Sequence, residues 1–494
     1  MSSLNLTLTS QNLSDAKRQL LEKRLRGKTI SANDTPKVFQ LMENPVEKFA
    51  PYPLRTFQQA LLQKAEVGDE PAWFYLEAEK EGLDAHLFAE TFRNLVNFHP
   101  ILQSRCVEVG GEVQLLTRTG FEWNPVIHDL RGVPAQDAEK CQQLIRDIFS
   151  KKHSNDDIAY PLILNICIID NDRIRIHLGV DMLLLDLVSI EFLALQCRQL
   201  YEGRKTISQI GSLSFRDYVL TEKEFLASSV EARKSRDYWQ EKLPSLNPML
   251  AAADFPVVST APEERYGYSL ALVPKERWRG LKHYASQKKL TGSMMVYSLF
   301  TLVLAKMAEK SSFSLELRLF RRLPFHSQVN DIMGQFSSGI VSSININTTQ
   351  TLETYCSKIE NQTWRDLDQS FIDLVGEKVC ANDPGFSKPG IVFTSTISRY
   401  EEFVAEGAVP PMKWFGKTRT CVMQMPEQML EMLIVENDGE LECHWFYGRD
   451  YFEPTAIEKM QTMLHRLLIA AAENPEAWLE NSIGDVLLLM DQGA

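Results

Sequence analysis

Two carboxylates and a hydroxyl stand inside an otherwise apolar run, Asp181-Met182-Leu183-Leu184-Leu185-Asp186-Leu187-Val188-Ser189. An ionised carboxylate is costly to bury unless it is paired or hydrogen-bonded, so a stretch this apolar needs partners for both. Two assignments are open. In one, Asp186 or Ser189 caps a following helix and Asp181 ends a strand. In the other, the segment belongs to a functional motif, and the rest of the chain must say which.

The flanking periodicities place the segment. Arg173-Ile-Arg-Ile-His-Leu-Gly-Val180 alternates polar and apolar residues as a strand does, and residues 190–200 read as an amphipathic helix. The carboxylates therefore sit on a strand-to-helix loop. Around it, the spacing predicts strands over 73–77, 112–116 and 162–169 and helices over 87–97 and 135–149. After the polar stretch 204–211, a second lobe is predicted, with helices over 230–243 and 290–307. Its strands fall at 338–346, 390–396, 429–436 and 440–446. Ahead of both lobes, residues 14–26 form a helix candidate capped by Ser14 and stopped by Gly27, followed by a polar connection. The expected organisation is a linker or docking segment over 1–47, a first lobe over 48–211 and a second over 212–494.

At 494 residues the chain is too long for one ordinary core, in keeping with two α/β halves. A formal net charge of −12 argues against nucleic acid as the main partner, because phosphate binding needs basic surface. The 8 cysteines include no Cys-x-x-Cys pair, and no cluster at metal-ligand spacing is seen, so no metal is expected. The N-terminus lacks the basic and apolar regions of a signal peptide. The longest apolar helical stretch, 294–305, is well short of the roughly 20 residues needed to cross a bilayer. A cytoplasmic, monomeric protein with reduced thiols and no membrane partner is expected.

The spacing Asp181-x4-Asp186-x2-Ser189 resembles the signature of the heterocyclization domains of nonribosomal peptide synthetases. There it replaces the His-His-x3-Asp-Gly core of condensation domains. In that alignment Asp181 and Met182 occupy the two histidine places and Asp186 matches the shared aspartate. A methionine cannot act as a base, so histidine-assisted condensation is not available from this loop.

Other segments follow in the family's order. Tyr52-Pro-Leu-Arg-Thr-Phe-Gln58-Gln-Ala60 resembles its aromatic-Pro-Leu-Thr-x-x-Gln-x-Ala opening, with Arg55 for threonine. His99-Pro-Ile-Leu102-Gln103 resembles His-x-x-Leu-Arg, and the lone His99 reads as structural. Tyr238-Trp239-x-x-x-Leu243-Pro244 matches the segment that opens the second lobe, its aromatics reading as packing residues. Arg322-x-Pro324-x-His326-x-x-Val329, running on to Gly334-Gln335-Phe336-Ser337, is similar to a motif that ends Gly-Asp-Phe-Thr. Here Gln335 removes a charge and Ser337 keeps a hydroxyl. Val392-Phe393-Thr394-Ser395 matches the family strand whose threonine serves cyclodehydration. Gln424, Pro426, Leu430 and Glu431 align with Gln-Thr-Pro-Gln-x-x-Leu-Asp, and Glu431 stands at the aspartate that partners that threonine.

The resemblance implies two chloramphenicol-acetyltransferase-like lobes forming a V-shaped α/β pseudo-dimer with a central tunnel. It implies donor and acceptor peptidyl or aryl carrier proteins as partners, whose phosphopantetheine arms meet inside, with no cofactor bound by the chain itself. A carrier-bound acyl or aminoacyl thioester is joined to a carrier-bound cysteine, serine or threonine. Cyclodehydration then gives a thiazoline or oxazoline. Thr394 and Glu431 are the catalytic candidates, while Asp181, Asp186, Ser189, Gln335, Ser337 and Gln424 are motif residues around them. Asp186 is expected to pair with Arg322. Amide formation without ring closure, carrier docking without turnover, and a free-standing acyltransferase using coenzyme A thioesters are the rival readings.

Overall fold

Strand-forming alternation builds three sheets in the computed structural model. It describes residues 39–490 except 69, 121, 152–160, 212, 257, 259–263, 384–385, 388 and 398–411, so the expected helix over 14–26 lies outside the described residues. In chain order the strands are β1 (Tyr52–Pro53), β2 (Trp73–Glu81), β3 (Ser104–Val109), β4 (Glu112–Thr117), β5 (Val126–Asp129), β6 (Leu162–Ile168) and β7 (Arg173–Asp181). The second half adds β8 (Tyr266–Val273), β9 (Ser312–Phe320), β10 (Ser337–Asn345), β11 (Ile391–Ser395), β12 (Lys417–Gln424), β13 (Leu430–Asn437) and β14 (Glu440–Gly448).

The first lobe is organised by a five-stranded sheet of order β12-β2-β7-β6-β5, with a small β1-β4-β3 sheet beside it. The second is a six-stranded sheet of order β10-β9-β11-β13-β14-β8. One strand departs from a simple division of the chain. β12 comes from the second half of the sequence yet pairs antiparallel with β2, from Lys417 opposite Glu79 to Gln424 opposite Trp73. It ties the second lobe into the first lobe's sheet.

The six-stranded sheet has two unlike faces. Phe393 and Trp445 turn towards the buried helix Gly292–Ala308, where Phe300 meets both rings. Successive side chains alternate between faces, so Glu316, Arg318, Thr394, Glu431, Glu442 and His444 share the opposite face. That face is met by the first lobe. The Phe57 ring of the helix Thr56–Gly68 lies 4.8 Å from the Arg318 guanidinium.

Helices form where caps and apolar stripes agree. Ala135–Phe149 coincides with its expected range, and Ala85–Phe98 is held at its start by Asp84, which accepts from the amides of His86 and Leu87. Tyr238 and Trp239 serve packing, the phenol donating to Asp366 and the indole to the Gln369 carbonyl. His99, buried against Gln196 at 2.7 Å, is held neutral, burial driving its imidazole down to about 4.

Gly179 marks a close approach in the first lobe. A Cβ there would stand 2.3 Å from the ring of fully buried Trp73, whose indole N–H is fixed by the Phe149 carbonyl at 2.8 Å. Gly179→Ala should therefore destabilise the fold by about 1–3 kcal/mol through overpacking, seen as a lower Tm in thermal unfolding. An unchanged Tm would refute the constraint.

Candidate active site

The Asp181–Ser189 segment lies where its flanks place it, between β7 and the helix Leu187–Tyr201. The capping assignment is correct in detail. Asp186, fully buried, accepts from the Ser189 amide through Oδ1 at 2.6 Å. The same carboxylate does more: its Oδ2 accepts from the Phe336 amide of the opposite half at 3.0 Å. Ser189 Oγ donates to the Gly334 carbonyl at 2.8 Å and accepts from the Gly334 amide at 3.1 Å. Arg322 donates to Ser189 Oγ at 3.0 Å, and its guanidinium is 3.8 Å from Asp186. The expected Asp186–Arg322 pair is present, and the guanidinium also holds the serine hydroxyl.

Gln335 completes this latch. Its amide donates to the carbonyl of Met182 and its oxygen accepts from the Ser337 amide at 2.9 Å. A neutral side chain that both donates and accepts suits this position, where two backbone groups of opposite kind must be satisfied. Arg55, standing where the family's opening motif has threonine, reaches the same place. It pairs with buried Glu222 at 2.6 Å and donates to the carbonyls of Gln335 at 2.7 Å and Ser337 at 3.3 Å.

Thr394 and Glu431 form a separate centre. Glu431 is the register neighbour of Val392, and Thr394 lies two residues further along β11, so the longer glutamate reaches across the diagonal. Thr394 Oγ1 donates to Glu431 Oε1 at 2.5 Å, and Gln428 donates to Oε2 at 3.0 Å. Both are shielded from solvent, Thr394 at 0% and Glu431 at 2% exposure. Arg318, paired with Glu316 at 2.6 Å, is the cross-strand neighbour of Thr394. Its guanidinium is held more firmly protonated by the Glu316 and Glu431 charges, which outweigh the opposing effect of burial.

The remaining motif residues stand elsewhere. Asp181 and Gln424 flank Trp73 in one register row, Asp181 opposite it on β7 and Gln424 opposite it on β12. Asp181 accepts from the Leu183 amide at 2.9 Å, and Gln424 donates to the Pro71 carbonyl at 2.8 Å. Ser337 begins β10 on the latch side. The motif residues thus form three groups, of which only Thr394 and Glu431 make a proton-bearing pair on the inter-lobe face. Among the described residues no three His, Cys, Asp or Glu side chains gather as a metal site.

Residues that sequence alone left out also stand on this face. Arg318 and Glu316 carry an alternation over 312–320 that marks a strand, though their charge suggests an exposed one. Asp373 carried no sequence signal. It caps the helix Leu374–Cys380, accepts from the amides of Gly339 at 2.8 Å and Gly376 at 3.1 Å, and leaves Oδ2 unbonded. Burial pushes its carboxyl up to about 6, against the pull of those amides.

Two measurements test these assignments. Ser189→Ala leaves the buried Gly334 amide without its acceptor and should cost about 1–3 kcal/mol of stability, read by denaturant unfolding; an unaltered midpoint would discount the latch. For Asp373, both folded and unfolded chains hold the proton below pH 4, so it costs nothing there. Between pH 4 and 6 the unfolded chain releases that proton while the folded chain keeps it, so stability falls as pH rises, by up to about 3 kcal/mol. The Tm advantage of Asp373→Asn over the wild type should grow across this window; a constant difference would contradict the buried carboxyl.

The Condensation domain family model matches residues 50–484. The chain is 26% identical to bacitracin synthase 1 of Bacillus licheniformis over 83% of its own length, spanning 8% of that protein. It is 24% identical to phenyloxazoline synthase MbtB of Mycobacterium sp. (strain MCS) over 87% of its length, spanning 36% of that protein. It therefore covers well under two thirds of these curated relatives. Among solved structures, the EpoB cyclization-docking bidomain of a nonribosomal peptide synthetase from Sorangium cellulosum superposes with a TM-score of 0.79. There the identity is 24%, covering 97% of this chain and 94% of that one. The two halves are accordingly chloramphenicol-acetyltransferase-like lobes, in a family whose phosphopantetheine is carried by partner carrier domains. A model match over most of its length, on a fold of paired lobes joined by β12, makes this chain a member of the Condensation domain family of nonribosomal peptide synthetases.

Proposed function

We propose that this chain is a heterocyclization domain. It condenses a thioester-bound acyl or aminoacyl group on a donor carrier protein with cysteine, serine or threonine on an acceptor carrier, then closes and dehydrates the ring. The observation that carries this reading is the buried 2.5 Å hydrogen bond from Thr394 to Glu431. The names of MbtB, a phenyloxazoline synthase, and of the EpoB cyclization bidomain support it.

Ring closure adds the acceptor side chain to the new amide carbonyl, and dehydration then expels that oxygen as water. One proton must reach the departing hydroxyl and another must leave the ring nitrogen. A carboxyl group can deliver the first and take up the second, so Glu431 acts as acid and base. Thr394 fixes one oxygen and Gln428 the other, leaving Glu431 a single orientation for both transfers. Such positioning is worth several kcal/mol of barrier, and an error on the order of 1 Å forfeits much of it. Cysteine is the favoured acceptor, its thiol being the better nucleophile. We further propose that the protein works as a cytoplasmic monomer between its two carriers.

Amide formation without ring closure is the second reading, and the full burial of Thr394 and Glu431 favours it, because substrate must part the lobes' packing to reach them. Product mass separates the readings. With both carriers loaded, the amide less one water supports cyclization, the intact amide supports condensation alone, and unchanged substrates support docking alone. Glu431→Gln and Thr394→Ala should slow ring closure by about 10²–10⁴-fold and let the open amide accumulate. Ring formation at the wild-type rate in Glu431→Gln would remove Glu431 from the mechanism.

A further inference from the structure

The loop that bears a histidine in condensation domains bears Met182 here, yet an imidazole stands on the same sheet face as Thr394 and Glu431. Thr394 pairs with Leu433, and Leu433 pairs with His444 of β14. Two strand spacings of about 4.8 Å each therefore separate the Thr394 and His444 backbones. His444 is built into a directed chain. Glu442 accepts from its Nε2–H at 3.2 Å, which leaves Nδ1 to accept from the Tyr268 hydroxyl at 3.1 Å. The ring lies beside Tyr268 and Phe446, which also touch each other, at interplanar angles of 29° and 6° and centroid distances of 6.0 and 6.3 Å.

The carboxylate end of the chain is fixed from three sides. Glu442 accepts from Asn437 at 2.6 Å and from Lys413 at 2.9 Å in addition to His444. Burial opposes its charge, but His444 and Lys413 prevail and hold the carboxyl well below the ordinary range. Lys413 belongs to the short turn Met412–Phe415, whose Trp414 meets Tyr201 edge to face, on the helix Leu187–Tyr201 in the first lobe. From that helix Glu191 also faces Glu442, and burial together with that charge pushes its carboxyl up to about 7. Cys421 of β12 faces Tyr268. The chain thus stands where the lobes meet. Unlike Thr394, its members border open surface: the His444 side chain is 18% exposed, and the neighbouring β8 residues Leu270 and Leu272 are 42% and 46% exposed.

We infer that Tyr268, His444 and Glu442 form a second proton relay, which serves amide formation while Thr394 and Glu431 serve ring closure. A base oriented by a carboxylate and acting through a hydroxyl has the arrangement that activates nucleophiles elsewhere. As the neutral acceptor amine attacks, the C–N bond forms and the donor C–S bond breaks. The nitrogen's proton passes to the Tyr268 oxygen as the Tyr268 proton passes to His444 Nδ1. The thiolate released on the donor arm then recovers that proton through the same path. Tyr268 is the group that meets substrate, with His444 and Glu442 positioning and charging it.

The inference rests on the proposed function, so its test measures the two steps separately on wild type, His444→Asn and Tyr268→Phe. Amide formation is followed from loaded carriers by mass, and ring closure from a carrier supplied with the preformed open amide. Both variants should slow amide formation by about 10²-fold or more while closing the preformed amide within about twofold of wild type. Amide formation at the wild-type rate in both variants would overturn the relay, and so would an equal loss of both steps, which marks a structural brace. A wild type that forms no amide overturns the proposed function and the relay together.

Discussion

One buried carboxylate joins the halves of this molecule. Asp186 has no solvent exposure, so its charge is tolerable only because donors converge on it. The Ser189 amide comes from its own helix, the Phe336 amide from the segment that leads into β10, and the Arg322 guanidinium lies 3.8 Å away. Since these donors belong to both halves, the carboxylate can be satisfied in only one relative placement of the lobes. The nearby Arg55–Glu222 pair, also buried, reinforces that placement by reaching the carbonyls on either side of Phe336.

With the lobes fixed, the two-faced six-stranded sheet becomes a chemical surface. Its apolar face is consumed by the helix Gly292–Ala308, which leaves every second residue facing the other lobe. Charges there are sheltered from water, where electrostatic interactions gain strength and unpaired groups become expensive. The solution adopted is pairing in place: Glu316 with Arg318, Glu431 with Thr394 and Gln428, Glu442 with His444, Lys413 and Asn437. Groups ordered this closely pay little further reorganisation when charge develops in a reaction.

The departures from the family pattern are compensated locally. Gln335, lacking the aspartate's charge, satisfies one carbonyl and one amide at once, a task a carboxylate cannot perform. Arg55 brings its own buried counter-ion in Glu222. Glu431 keeps contact with Thr394 across a diagonal of the parallel ladder.

Much was legible in the chain itself. Alternation and caps placed β7, the helix Leu187–Tyr201 and the loop between them, because these signals are local and periodic. Motif order pointed to the family, and with it to Thr394 and Glu431. What sequence could not supply was distance between remote segments. Nothing in the spacing says that Asp181 and Gln424 flank Trp73, that β12 crosses into the first lobe, or that Asp373 lies under Gly339. His444 shows the limit most sharply. In the chain it is a lone histidine in a strand, and only the register of β8, β13 and β14 sets it between a tyrosine and a glutamate on the face where the chemistry lies. Local pattern is written residue by residue, whereas side-chain company is decided by strand register and lobe placement, which many distant contacts fix together.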